Sequence, residues 1–310
     1  MILAQTNPGW DGPAASLASA AIWALVVILW KPLIRRFGAD AANFCKNAIA
    51  SVAFVLGLLV FRGDLGLDLV LDLSSYRFWT LIASSILGMT IGDGLLFYAA
   101  ARLGAQRALL ILNFIPLLTL VLAWAISGEE ILRSQIVGIV FVVLGIGIVL
   151  FDGPRLRSGN LDVKGIGAAL LCVLANSLGI LWRKPSLEVV DVATVSLLQL
   201  VVGALGVLVL AVIFGRSTRL VAPIQAADTR LRVLFLSLLG TGFAYYLFIY
   251  GIQNNSSAIA ATLSGMSPIF AIPLLWLIEK KRPEFRTWVG TFISTGGVVL
   301  ILVPPHAWWW

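Results

Sequence analysis

The sequence predicts an all-α integral membrane protein, with ten transmembrane helices arranged as two inverted five-helix repeats. Three observations carry this expectation: an apolar composition, ten long apolar segments, and one constant offset that superposes the two halves. The 310 residues are 60% hydrophobic and only 12% charged, with a mean hydropathy of +0.99. A soluble domain is about a quarter charged and roughly 45–50% apolar. One bilayer-crossing helix needs about 20 apolar residues, so ten would use about 200. An ordinary soluble domain is excluded, and the net charge of +7 reads as a matter of membrane sidedness, with no nucleic-acid partner.

Charges and turn residues cut the chain into segments at Ala14–Trp30, Ala41–Phe61, Phe78–Ala100, Gln106–Ile126, Gln135–Phe151, Gly165–Trp182, Val192–Phe214, Leu231–Gln253, Ala258–Ile278 and Thr287–Val303. In lipid the backbone must satisfy itself, which makes segments of this length helices. They are too long and too uniformly apolar for barrel strands. The longest connectors are RGDLGLDLVLDLSSYR and RSTRLVAPIQAADTR. The start MILAQTNPGWDGP has no basic region, so no cleaved signal peptide is expected.

A shift of 152 positions places Trp30 on Trp182, Gly88 on Gly240, Tyr98 on Tyr250 and Ala108 on Ala260. It also places Pro116 on Pro268, Trp124 on Trp276, Gly138 on Gly290 and Gly145 on Gly297. The expected units are residues 14–151 and 165–303. Five helices is an odd number, so the second unit enters the membrane inverted relative to the first. Basic residues divide seventeen against five between the two sets of connectors. The positive-inside rule then places both termini on the non-cytoplasmic side of the cell inner membrane.

Polar groups within spans are costly and are the first functional candidates. Asp93, in GMTIGDGLLFYAA, sits about 10 Å below the basic surface at helical rise. Lys46, in NFCKNA, sits about 8 Å below the same surface. An ion pair, or a proton site on Asp93 modulated by Lys46, is geometrically allowed. The plainer readings are a snorkelling Lys46 and an Asp93 that caps a glycine-broken helix. Pro116 and Pro268 fall at matching places in segments 4 and 9, where each opens a kink. Paired interruptions of this kind point to a midplane binding site with Pro116 and Pro268 shaping its gates; the alternative is that they tune packing. Pro273 would add a second break to segment 9.

Asn47, Asn113, Asn176, Gln199 and Ser264 supply neutral hydrogen-bonding groups at membrane depth. Tyr98, Tyr245, Tyr246 and Tyr250 could stack on a solute while their hydroxyls orient it; belt aromatics are the alternative. Tyr245 is the repeat mate of Asp93. Glycines seven apart in segments 5 and 10 (Gly138/Gly145, Gly290/Gly297) mark close helix approach, inside the bundle or across a homodimer.

Catalytic classes fail on inspection. The G-x-G-D of an intramembrane aspartyl protease would read Thr90-Ile91-Gly92-Asp93, with no second Asp in a span. No span contains a His: His306, the chain's single histidine, lies in the tail. There is no H-E-x-x-H and no P-loop. Cys45 and Cys172 lie in apolar stretches. Neither enzyme activity, metal nor cofactor is expected, and no charge ring or carbonyl filter suggests a channel.

The stretch PLLTLVLAWAISGEEILRSQIVGIVFVVLGIGIVL resembles the closing part of an EamA domain, through Pro116, Gly128-Glu129, Gln135, Gly138 and Gly145. The second half, SPIFAIPLLWLIEKKRPEFRTWVGTFISTGGVVLIL, is similar through Pro268, Gly290 and Gly297. It departs where Lys281 replaces the Glu and Thr287 the Gln. Two such units resemble the ten-helix branch of the drug/metabolite transporter superfamily. The resemblance implies a secondary transporter, commonly an exporter of amino acids or other small metabolites, with a central cavity and peripheral segments 5 and 10. The few charges favour a neutral or zwitterionic solute, with Asp93 as the proton-coupling carboxylate. A non-transporting membrane sensor or assembly partner is the alternative; it would not need paired broken helices around buried polar groups.

Overall fold

The computed structural model describes residues 11–127, 132–150, 162–254, 263, 265–280 and 282–302. Ser264, Gly128, Glu129, Lys281 and His306 lie outside the described residues. Among the described residues the regular structure is helical, and helices lie in the expected segments, the ninth described from Ser267. They are α1 (Asp11–Phe37), α2 (Ala39–Phe61), α3 (Ser75–Leu103), α4 (Ala105–Ile111 continued by Phe114–Ser127) and α5 (Arg133–Leu150). The second set comprises α6 (Val163–Leu187), α7 (Val192–Ile213), α8 (Arg230–Leu236 continued through Asn254), α9 (Ser267–Glu279) and α10 (Phe285–Leu302). Seven of these are long and apolar enough to cross a membrane; α5, α9 and α10 are shorter apolar helices. The two longest connectors are not plain loops. The first holds a short helix, Leu67–Leu71, and the second the turns Ser217–Arg219 and Ala222–Gln225.

Local chemistry explains the joints. Gly38 separates α1 from α2 and Gly104 separates α3 from α4, with φ of 97° and 88°. That conformation is open to glycine at little steric cost. Asp162 caps α6 by accepting from the Gly165 N–H (3.0 Å), and Asp191 caps α7 by accepting from Ala193 (3.0 Å) and Thr194 (3.1 Å).

Helix packing is reciprocal between the halves. Helix α1 packs on α8 and α9, as α6 packs on α3 and α4; α2 packs on α8, as α7 packs on α3; α2 meets α7, and α5 meets α10. The glycines of α5 and α10 account for the last pair. A Cβ on Gly138 would stand 2.6 Å from the Gly297 carbonyl oxygen, and one on Gly290 would stand 2.6 Å from the Gly145 carbonyl oxygen. These small-residue faces are therefore occupied within the chain, and a homodimer through them would first have to part α5 from α10. Outer surfaces expose large apolar side chains such as Phe61, Val140, Leu205, Phe243 and Phe292, as contact with lipid requires.

The helix interruptions differ from simple proline kinks. Helix α4 breaks at Leu112–Asn113, where bonds tighten to Asn113 N–H on Leu110 O (3.1 Å) and Ile115 N–H on Leu112 O (2.9 Å). Pro116 follows inside the first turn of the renewed helix, and Pro268 stands in the first turn of α9. There a missing N–H costs nothing, since first-turn donors have no intrahelical acceptor. Pro273 breaks nothing: α9 runs through it without interruption.

Two further irregularities lie within α3 and α8. Residues Ile86–Gly92 and Ser237–Ala244 form π turns. Moving the first by the repeat offset lands it inside the second. Each has an anchor on another helix. Asn43 Nδ2 donates to the carbonyls of Met89 (2.9 Å) and Thr90 (3.1 Å), and Ser19 Oγ donates to that of Ala244 (2.7 Å).

Candidate functional site

A cavity of about 230 Å³ lies between the two π turns and the starts of the renewed α4 and of α9. Of the sequence-selected residues, Lys46, Asp93, Asn113, Pro116, Asn176, Gln199, Tyr245 and Pro268 line it. Asp93 and Tyr245 are each the first residue after a π turn.

One wall carries a buried ion pair. Lys46 Nζ lies 2.6 Å from Asp93 Oδ2 and donates a second bond to Asn47 Oδ1 at 2.8 Å. Lys46 is 1% exposed, so it does not snorkel. Asn47 stands behind the pair and does not line the cavity. Its Nδ2 donates to Asn43 Oδ1 (3.2 Å) and to the Met89 carbonyl (3.4 Å), which links the ion pair to the first π turn.

The cavity also borders a cation that sequence reading had placed in a surface connector. Arg183 belongs to α6, is 8% exposed and lines the cavity. Its Nη1 donates to the Tyr245 hydroxyl at 2.9 Å and to Gln199 Oε1 at 3.4 Å. The Tyr245 hydroxyl donates in turn to Gln199 Oε1, and Gln199 Nε2 donates to Ser84 Oγ at 3.3 Å. Segmentation hid Arg183 because a charged pair, Arg183-Lys184, ends the apolar run at Trp182. In the structure α6 continues past it to Leu187 and places Arg183 on the cavity wall. With Arg183 and Lys46 set aside as cavity residues, the basic count remains one-sided, at sixteen against four.

Other predicted residues are placed elsewhere. Tyr98 is 39% exposed, and its ring lies 5.6 Å from the Arg102 guanidinium. Tyr246 and Tyr250 stack on each other at 6.2 Å, with Phe54 at 6.3 Å from Tyr246. None of the three lines the cavity. Asn113 turns its Nδ2 to Ser294 Oγ on α10 (3.0 Å), and Asn176 donates back to the Cys172 carbonyl (3.0 Å). The structure adds Ser19, Trp23, Met89, Phe248 and Thr241 to the wall. Trp23 and Phe248 were hidden because nothing in an apolar run distinguishes a lining aromatic from a lipid-facing one.

Among the described residues no cluster of His, Cys, Asp and Glu could hold a metal ion. What remains is a mostly apolar chamber with one matched ion pair, one further cation and several neutral donors. Such a chamber can select a small solute by its polar ends.

Comparisons agree with a transport role. The EamA-like transporter family matches residues 12–151 and 163–303. An uncharacterized transporter of Archaeoglobus fulgidus is 28% identical over 94% of this chain and 97% of its own. Protein PecM of Dickeya dadantii is 25% identical over 72% of this chain and 73% of its own. A probable terminal-alkyne amino-acid exporter of Streptantibioticus cattleyicolor is 26% identical over 91% and 93%. A solved crystal structure of a protein shares the fold at a TM-score of 0.63 and 16% identity, covering 93% of this chain and 97% of that one. With both halves matched and the fold shared, the chain belongs to the EamA-like transporter family.

Proposed function

We propose that this transporter is a proton-linked exporter of small neutral or zwitterionic metabolites such as amino acids, working by alternating access in the cell inner membrane. The observation that carries this reading is the buried Lys46–Asp93 pair on the wall of a central chamber, directly after a π turn. In the proposed cycle Asp93 is ionised and paired with Lys46 in one state and protonated and apart from it in another. Passing between them as the chamber changes sides would couple a proton to solute. Lys46 faces Asp93 from α2, and Arg183 and Tyr245 face the same chamber from α6 and α8. The exporter named among the relatives supports the solute class, and the apolar lining supports a small body.

In this reading all ten helices span the membrane, as inverted units of residues 14–151 and 165–303, with both termini outside. The reciprocal packing of α1–α8 with α6–α3 and the repeated π turn support a pseudo-twofold axis in the membrane plane. Gln199 and Tyr245 would contact solute, and the breaks before Pro116 and Pro268 would let the helix ends swing as gates.

Flux of amino acids in proteoliposomes, with and without a pH gradient, tests this. Gradient-stimulated flux is expected for the native chain, with counterflow but no gradient response for Asp93→Asn. Intact gradient-driven flux in Asp93→Asn removes the coupling role. The absence of flux across a broad metabolite panel removes the transport reading.

A further inference from the structure

We propose that Arg183 is the carboxylate anchor of the cavity, so the transported solute carries one free carboxylate. The inference rests on the cavity being the solute chamber. Arg183 is more than nine-tenths buried, yet among the described residues no carboxylate pairs with it. Its hydrogen bonds all leave from Nη1 and end on neutral oxygens. Three of its five N–H donors, on Nε and Nη2, have no protein acceptor among the described residues, and the side chain borders the chamber. Besides those bonds the guanidinium has the Phe248 ring at 5.9 Å, and its planar fork matches a carboxylate, which would pair the desolvated charge.

The repeat makes the missing partner specific. Arg183 is the mate of Lys31, whose Nζ meets Glu279 Oε1 on α9 at 2.7 Å. The position in the first half that corresponds to Glu279 is Ser127, which has no charge. Of the two repeat-related sites, each built across the halves, one holds both ions (Lys31 and Glu279) and the other keeps its cation, Arg183, alone. Lys46 and Asp93 cancel, so the chamber presents one net positive charge. That matches a monocarboxylate better than a doubly charged phosphate. The Gln199–Tyr245 bond fixes the guanidinium from the side of Nη1 and leaves its other edge for the solute. Trp23, Leu109, Ile115 and Ile180 offer apolar wall to the remainder of the molecule.

The test is counterflow of labelled amino acids in proteoliposomes, in competition with unlabelled amino acids and with the matching amino-acid amides. The acids are expected to compete at least about tenfold better than their amides, as charged hydrogen bonds of this kind require. Arg183→Gln should abolish that preference, and Arg183→Lys should keep part of it. Gln199→Glu gives Arg183 an internal carboxylate. It should remove acid binding while the purified protein unfolds at the native temperature or above, which separates site loss from misfolding. Amides that exchange as well as acids overturn the carboxylate anchor while transport stands. So does a Gln199→Glu protein that keeps the full acid preference. No exchange of any compound overturns the transport reading and this assignment with it.

Discussion

Asp93 and Tyr245 occupy the same position in the two halves, each directly after a π turn, and they face one cavity with different chemistry. Asp93 is held by the Lys46 ammonium, and Tyr245 by the Arg183 guanidinium. The backbone device is duplicated while the side chains have diverged. In the proposed mechanism, that divergence would let one wall exchange a proton while the other holds solute.

The ion pair should behave as an energetic unit. Lys46→Met alone strands a buried carboxylate and is expected to cost about 3–5 kcal/mol. The double substitution Lys46→Met with Asp93→Leu should recover most of that loss, since apolar replacement of a buried pair is often neutral. Thermal unfolding of the single and double variants in detergent reads this directly. A double variant no more stable than the single one would mean that the two side chains are not coupled.

Much of this arrangement was legible in the residues. The repeat offset, the helix places and the shared depth of Lys46 and Asp93 follow from spacing and rise. The π turns did not, because Ile86–Gly92 is as apolar as the α-helix around it and its carbonyls are met by Asn43 on another helix. Arg183 was lost for the opposite reason, since a charge at the end of an apolar run reads as an interface. Tyr98, Tyr246 and Tyr250 were drawn into the site by residue type alone. Helix rotation, which no single segment determines, turns them away from the cavity.

The α5–α10 contact predicts a sharp difference between neighbouring positions. Gly138→Val would drive its side chain into the Gly297 carbonyl and the Ile301 side chain. The expected loss is about 1–3 kcal/mol, as in other overpacked interfaces. Val140→Ala, on an exposed face of the same helix, should stay within about 0.5 kcal/mol. Midpoints of thermal unfolding for the two variants would separate packing from propensity.

Asp162 sets a pH dependence at the start of α6. The Arg102 guanidinium, 2.8 Å away, and the Gly165 N–H hold its carboxyl below the usual aspartate range. A depressed value in the folded protein means stability that is present above the unfolded value of about 3.9 and is lost as pH falls through the folded value. Asp162→Asn keeps a capping oxygen but no charge. It should therefore unfold at a lower temperature than the native chain near neutral pH, and the gap should close below about pH 4. A gap independent of pH would mean that the cap, and not the charge, carries the contribution.

The Asn43 amide supplies the last test, because it links packing to coupling. Its Nδ2 satisfies the Met89 and Thr90 carbonyls inside the first π turn. Asn43→Leu keeps the volume and removes both bonds, along with the acceptor for Asn47 Nδ2, at an expected cost of about 1–3 kcal/mol. A segment that then relaxes toward α geometry changes its residues per turn, so Asp93 rotates by about 100° for each residue of altered register. That rotation would carry the carboxylate away from Lys46. Gradient-driven flux should fall in Asn43→Leu as it does in Asp93→Asn. Ser19→Ala, which loses the bond to Ala244 in the other half, should disturb Tyr245 and leave the gradient response in place. Coupled flux that survives Asn43→Leu despite the lost stability would show that the π turn does not position Asp93. Loss of coupling in both variants would show that the two walls move together.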